Sequence, residues 1–368
     1  MYYSLFTIYY FLLIMKPIQF DTKKSKDFYD ELKQKVKTYF AENEKSEKGN
    51  RNLFSKTIIL FATWIAIYLC ILLVASSTWV VIGLYILFWL VWALIGFNVM
   101  HDGWHGSYSK YKWLNTVMSY AMNLLWSDIN FWKISHNVLH HTFTNIEWYD
   151  DDIENRPIFR FHPDQPKKRF HKYQHIYWPI AYWLGLGNWI FYSDFRKFFQ
   201  WNRWQHKLIK LKMKDKIVFW ITKVWLILFY YVLPASQVGW GVALIWVVLM
   251  YYFMSLFIIT IFQLAHILED TSMVSHDEHT VKESRAIHQI ETTANFSMRN
   301  KTWTRLLWGL NFQIEHHLFP HVSHVHYPQI AKIVQELCNQ YGIQYNAYNT
   351  IWAAIWSHVR YIKHMWRN

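Results

Sequence analysis

The chain has 368 residues, and its 38 Lys+Arg against 25 Asp+Glu give a formal charge of +13. With 20% aromatic side chains and only 11 glycines and 8 prolines, it is neither disordered, collagen-like nor of low complexity. Cys70 and Cys338, the two cysteines, cannot build a disulfide framework, so the unusual resource is the 20 histidines.

Met1 to Ile14 is apolar, too short to span a bilayer, and lacks a basic leader region and a small-residue cleavage site. It reads as an upstream extension before MKPIQF, which starts at Met15. Residues 15–56 continue into a Lys-rich amphipathic stretch, Asp21 to Tyr39. Residues 57–100 then form a first apolar hairpin. Its runs, Thr57–Ser76 and Trp79–Met100, each match the roughly 20 residues a membrane helix needs, and Ser76-Ser77-Thr78 supplies the turn. Residues 101–216 are cytoplasmic by expectation and contain two weaker apolar stretches, Trp113–Trp126 and Ile176–Tyr192, whose Trp, Tyr, Asn and Gly content suits helices lying in the interface. A second hairpin, 217–264, comprises Ile217–Ala235 and Trp240–Leu264, with Lys223 near enough to one end for its stem to reach the interface. Residues 265–368 complete the chain. Lys and Arg are absent from 57–109 and 224–281, so the positive-inside rule places both termini and the central segment in the cytoplasm. The expected fold is all-α: four transmembrane helices in two hairpins, under a cytoplasmic helical cap holding a histidine-rich dimetal site.

That site is read from spacing and topology together. HDGWH places His101 and His105 four apart, on one face of a helix, although a histidine content this high yields about one such pair by chance. HNVLHH offers His136, His140 and His141, a triple with a chance expectation of only about 0.06. QIEHH offers His316 and His317, with Gln313 where a third histidine would stand. His266, in QLAH, closes the fourth apolar run. The second and fourth runs deliver His101 and His266 to the same side as the other clusters, so all eight imidazoles can converge. Such a set, poor in carboxylates, suits iron, zinc or copper.

HDGWH, HNVLHH and QIEHHLFP, in this order around two hydrophobic hairpins, resemble the three histidine boxes of membrane-bound fatty acid desaturases. The Gln heading the third box resembles the front-end subgroup, which inserts a double bond between an existing one and the carboxyl end. HHTFTN, QLAHILE, HQIETTANF and HHLFPHVSHVHYP are similar to bacterial linoleoyl-CoA-type members, so the resemblance runs from about Phe20 past Ile333. It implies a non-haem diiron centre that uses O2 to remove two hydrogens from adjacent methylenes of a fatty acyl group carried by CoA or a lipid. It carries over His101, His105, His136, His140, His141, His266, His316 and His317 as iron ligands. Gln313 becomes a weak ligand or a donor behind the ligands, and Asp102 a group that could orient a neighbouring imidazole. The HPGG haem motif of fused members is missing, so the electron donor is expected to be a separate ferredoxin or cytochrome b5-like protein. The expected location is a bacterial inner membrane, with membrane lipid as a partner and no nucleic acid.

Other features are open. His288 and Asn295 in HQIETTANF read equally as substrate contacts or as structural groups. His321, His324 and His326 favour hydrogen bonding in a loop over metal ligation. Asp150-Asp151-Asp152 reads more simply as a solvated turn than as support for the histidines. PKKRFHK, Pro166 to Lys172, is a membrane-surface patch that could also meet CoA phosphates or an acidic donor. His162, His171, His175, His206, His276, His279, His358 and His364 follow no pattern. A diiron hydroxylase or ketolase is the competing enzyme. A histidine-rich metal transporter is disfavoured, because the middles of all four runs lack Asp, Glu and His.

Overall fold

The computed structural model describes residues 18–21, 25–73, 77–124, 127–153, 157–204, 211–275, 280–281 and 283–367. The expected upstream extension, Ser76 of the first turn, and His206, His276 and His279 lie outside them. Helix α1 is Lys26–Glu42. Two hairpins follow the expected pattern: α2 (Arg51–Leu73) with α3 (Thr78–Ile95), and α4 (Met213–Ile227) with α5 (Trp240–His266). With their extensions these are four helices long and apolar enough to cross a membrane. The first starts six residues earlier than the apolar run, at Arg51.

Helix α2 is held by one buried stripe and leaves apolar side chains exposed on the rest. In α2 the buried residues Leu53, Thr57, Leu60, Trp64, Ile67 and Ile71 recur every three or four positions. Between them Ile58 is 71% exposed while Leu60 is 7% exposed. Apolar side chains on the outer as well as the inner face are what a bilayer, rather than water, selects.

Helix α6 (Gln174–Asn188) continues through one π turn, Trp189–Ser193, into the charged segment Asp194–Trp204. It lies against α5, where Ser255 Oγ donates to Tyr182 O (2.5 Å) and accepts from Leu186 N (2.9 Å). Gly185 permits this approach, since a Cβ there would fall 2.2 Å from Ile259 Cδ1. Ile176, Ile180 and Leu184 point outward from the same helix. Lys223 departs from expectation. Instead of reaching the interface it turns inward, with Nζ 2.8 Å from Asp194 Oδ2 and 3.2 Å from Ile190 O. The buried carboxylate of Asp194 fixes that choice, because in a low-dielectric interior an unpaired charge costs more than an ion pair.

The cap packs over the ends of the hairpins that carry His101 and His266. Helix α7 (Arg285–Glu291), α8 (Lys301–Leu307), α9 (Gln313–Leu318), α10 (Tyr327–Tyr341) and α11 (Ile351–His364) come from the C-terminal segment. Phe28, Leu32, Val36 and Phe40 of α1 share a buried cluster with Ile330, Val334, Leu337 and Cys338 of α10. Two short parallel pairs, Gln19–Phe20 with Thr280–Val281 and Asn295–Phe296 with Ala347–Tyr348, tie distant segments together.

Candidate metal centre

Helix α3 does not stop at Ile95. A π turn, Gly96–Met100, carries it into His101–Trp104, where His105 N–H donates to His101 O and the two rings lie 4.8 Å apart. The second box is wound more widely still. Lys133–His140 is π-helical, and His141 N–H reaches His136 O five residues back. In an α-helix, side chains five apart diverge by about 140°. The wider turn cancels most of that angle, and His136 Nε2 and His141 Nε2 face each other at 3.2 Å. Helix α9 supplies His316 and His317, and α5 ends on His266.

All eight imidazoles converge. Ring centroids lie 4.4 Å apart for His101 and His316, 4.9 Å for His105 and His141, and 4.4 Å for His141 and His317. His266 lies 4.5 Å from His140 and 4.8 Å from His317. Donor atoms within 4.8 Å of one another define the groups His101/His105/His136/His316, His140/His266/His317 and His141/His316/His317, and a fourth, His136/His140/Asp152, that includes a carboxylate. The first two share no residue, and the third links them.

Several ring nitrogens of these histidines are buried and have no hydrogen-bond partner. They include both ring nitrogens of His101, Nε2 of His105, His316 and His317, and Nδ1 of His136 and His141. Each neutral imidazole presents one lone pair, and leaving so many of these rings buried without partners would be costly unless a metal ion took those lone pairs. Burial also holds His105, His136, His141, His316 and His317 well below the usual imidazole range, so they are neutral and ready to ligate at pH 7. The donor set fits a metal site.

The outward nitrogens are held by groups that set each ring. His140 Nδ1 donates to Asp150 Oδ1 (3.0 Å), His317 Nδ1 to Gln289 Oε1 (2.6 Å), and His266 Nδ1 to Thr292 O (3.2 Å). His316 Nδ1 lies 3.3 Å from the Tyr327 hydroxyl. These contacts fix which nitrogen remains for the metal. Burial opposes protonation of His140, but Asp150 and Asp152 outweigh it and raise its pKa to about 9.

The structure corrects the reading of the acidic run. Asp150 is 0% exposed, binds His140, and accepts from Asn145 N–H (2.8 Å), so it is a buried acceptor and no solvated turn. Asp151 pairs with Lys197 and Ser135 at a more open position. Asp102 holds the imidazole of His324, which is not one of the eight carried over as ligands. Its Oδ1 accepts from His324 Nδ1 and its Oδ2 from Ser323 Oγ, both at 2.6 Å. Gln313 commits its side-chain NH2 to Leu310 O (2.8 Å), leaving its amide oxygen as the atom it can offer a metal.

His324 and His326 hydrogen-bond within the cap, the latter to Lys48 O (3.2 Å), while His321 is exposed. Asn295 braces α9: it donates to Glu315 Oε2 (2.7 Å) and accepts from Ile314 N–H (3.0 Å). Burial pushes Glu315 up to about 7. His288 is buried beside Phe20. Its neighbour Gln289, which the sequence reading passed over, holds His317. The HQIETTANF motif carried that signal, one residue away from where it was sought.

The sequence model of the fatty acid desaturase family matches residues 76–349. An acyl-lipid (8-3)-desaturase of Physcomitrium patens is 31% identical, covering 94% of this chain and 73% of that protein. An sn-1 linoleoyl-lipid 6-desaturase of Arthrospira platensis is 30% identical, covering 93% of each. The enzyme of the same name from Synechocystis sp. is 30% identical over 96% of this chain and 99% of its own.

Proposed function

Because the chain belongs to the fatty acid desaturase family and is a membrane oxidoreductase acting on fatty acyl chains, we propose that it is a front-end desaturase of acyl groups carried on membrane lipid. It introduces a double bond on the carboxyl side of an existing one, using O2 and a non-haem diiron centre. The carrying observation is the convergence of eight imidazoles, seven of them fully buried, in overlapping groups with several ring nitrogens left without a hydrogen-bond partner. The names of the relatives support lipid rather than CoA as the carrier of the acyl chain, and the Gln at position 313 supports the front-end position.

Two iron ions would be held by His101, His105, His136 and His316 on one side and by His140, His266 and His317 on the other, with His141 between them. They would supply the redox chemistry that O2-dependent removal of hydrogen from an unactivated methylene demands and that no side-chain acid or base can provide. The chain's own contribution is orientation and dryness. Asp150, Gln289, Tyr327 and the Thr292 carbonyl hold the rings. Trp132 stacks on His136 at 4.6 Å and on Trp189 at 4.8 Å, closing one flank with aromatic surface. The site faces the cytoplasm of a bacterial inner membrane, and a separate ferredoxin or cytochrome b5-like protein supplies electrons.

Expression in a host that makes linoleate but no front-end products tests the reading. The expected outcome is a new fatty acid two hydrogens lighter, with its added double bond on the carboxyl side by mass spectrometry of derivatised esters. A product one oxygen heavier would overturn it.

A further inference from the structure

A cleft of about 680 Å³ opens on the cap between α8 and α10. Four of its lining residues, Arg299, Lys301, Arg305 and Lys332, are exposed cations, and none of its lining residues is an acid. Asp270, which touches lining residue Tyr348, is already engaged by that hydroxyl (2.5 Å). Among the described residues none of the four cations takes part in an ion pair. Such a concentration of one sign attracts an anionic partner and accelerates its encounter.

A chain of contacts runs inward from the same helix. The Lys56 ammonium donates to Arg305 O (2.6 Å) and to Asn98 Oδ1 (2.8 Å), and it lies 3.3 Å from the centre of the Trp308 ring. The Trp308 ring lies 5.3 Å from that of His324. His324 meets Asp102, the direct neighbour of His101, and its Nε2 is buried and unpartnered. An aromatic ring and an imidazole thus bridge the cationic surface and the first histidine of the metal centre.

Resting on the desaturase reading, we infer that this cleft docks an acidic one-electron carrier protein, and that Trp308 and His324 are its electronic connection to the site. The balance requires such a partner. O2 takes four electrons and four protons in becoming two waters. The acyl chain gives two of each as its two C–H bonds break and the C=C bond forms. The other two electrons arrive one at a time from the carrier, and two protons come from solvent. Of the anions such a cleft attracts, the carrier is favoured because the aromatic path ends here.

The test uses the full chain in nanodiscs of zwitterionic phosphatidylcholine, with an acidic plant-type ferredoxin as probe. Arg299→Glu, Lys301→Glu, Arg305→Glu and Lys332→Glu, combined, should weaken ferredoxin binding about tenfold or more and flatten its salt dependence, with metal content kept. Lys301→Glu and Lys332→Glu singly should each give part of the loss, and Lys167→Glu with Lys168→Glu, on the other basic patch, should leave affinity unchanged. Trp308→Leu should keep affinity but slow ferredoxin oxidation about tenfold, and Trp308→Phe should restore most of it. Unchanged ferredoxin affinity in the fourfold variant overturns the inference, whether or not CoA or phosphatidylglycerol binding is lost instead. Product formation driven by reduced methyl viologen separates the two readings: its presence with unchanged carrier affinity condemns the docking site alone, and its absence in the unaltered protein condemns both.

Discussion

Asp102 and His324 lie 222 residues apart and meet through a 2.6 Å hydrogen bond between Oδ1 and Nδ1 in a fully buried setting. The first histidine box is thereby fastened to the loop that follows the third, and Ser323 Oγ occupies the other carboxylate oxygen. Asp102→Ala leaves both donors unpaired and should cost about 3 kcal/mol. Thermal unfolding followed by tryptophan fluorescence, in a cycle with His324→Ala, should give a coupling energy above about 0.5 kcal/mol. Strict additivity would show that the pair does not fasten the boxes.

Metal content should be about two irons per chain, from the two donor groups that share no residue. His140→Ala should lower iron content and abolish desaturation, as read by metal analysis and fatty-acid profiling. Full activity in that variant would remove His140 from the ligand set.

Asp150→Asn keeps an oxygen for Asn145 N–H but takes the negative charge from beside His140. Metal affinity should fall about 10- to 100-fold in chelator competition. Asp151→Asn, at a position paired with Lys197 away from His140 Nδ1, should change it far less.

A pH dependence follows from His358. Its ring is buried, hydrogen-bonded to Ile267 O through Nδ1 and to the Tyr182 hydroxyl through Nε2, both at 2.8 Å, and burial lowers its pKa to about 4. The folded state therefore binds this proton less readily than the unfolded chain, whose imidazole titrates near 6.5. Its contribution is complete above about pH 6.5 and fades as pH falls to about 4, by roughly 3 kcal/mol in all. In His358→Gln the acid side of the stability profile should be shallower than in the parent. Parallel profiles would refute the assignment.

Orientation is checked with reporters. A cytoplasmic reporter fused after Asn368 should be active, and the same reporter fused after Gln237, at the far end of the third span, should be silent. The reverse pattern would invert the topology.

The four spans were legible because a bilayer imposes a rule that survives in one dimension: long runs without Lys or Arg. His266 was legible for a related reason, since two successive hairpins bring the ends of the second and fourth spans to the same side. Asp150 was not, because a run of three aspartates looks the same whether water or a buried imidazole satisfies it. Gln289 and Tyr327 were hidden likewise, since each meets its histidine only through tertiary packing. Lys223 was misjudged because the pairing Asp194 lies 29 residues away in another helix. The winding of the second box was invisible too, as no residue type announces a π turn.

That winding has a consequence for insertions and deletions. A π turn is an α-helix with a residue to spare. Removing one position between His136 and His140 would leave the three histidines at relative positions 0, 3 and 4, which an α-helix also gathers on one face. Val138, 37% exposed, is the natural residue to remove. The flanking segments would keep their rotational register as the helix tightens, so the second box should accept at Val138 a shortening that would scramble an ordinary buried helix.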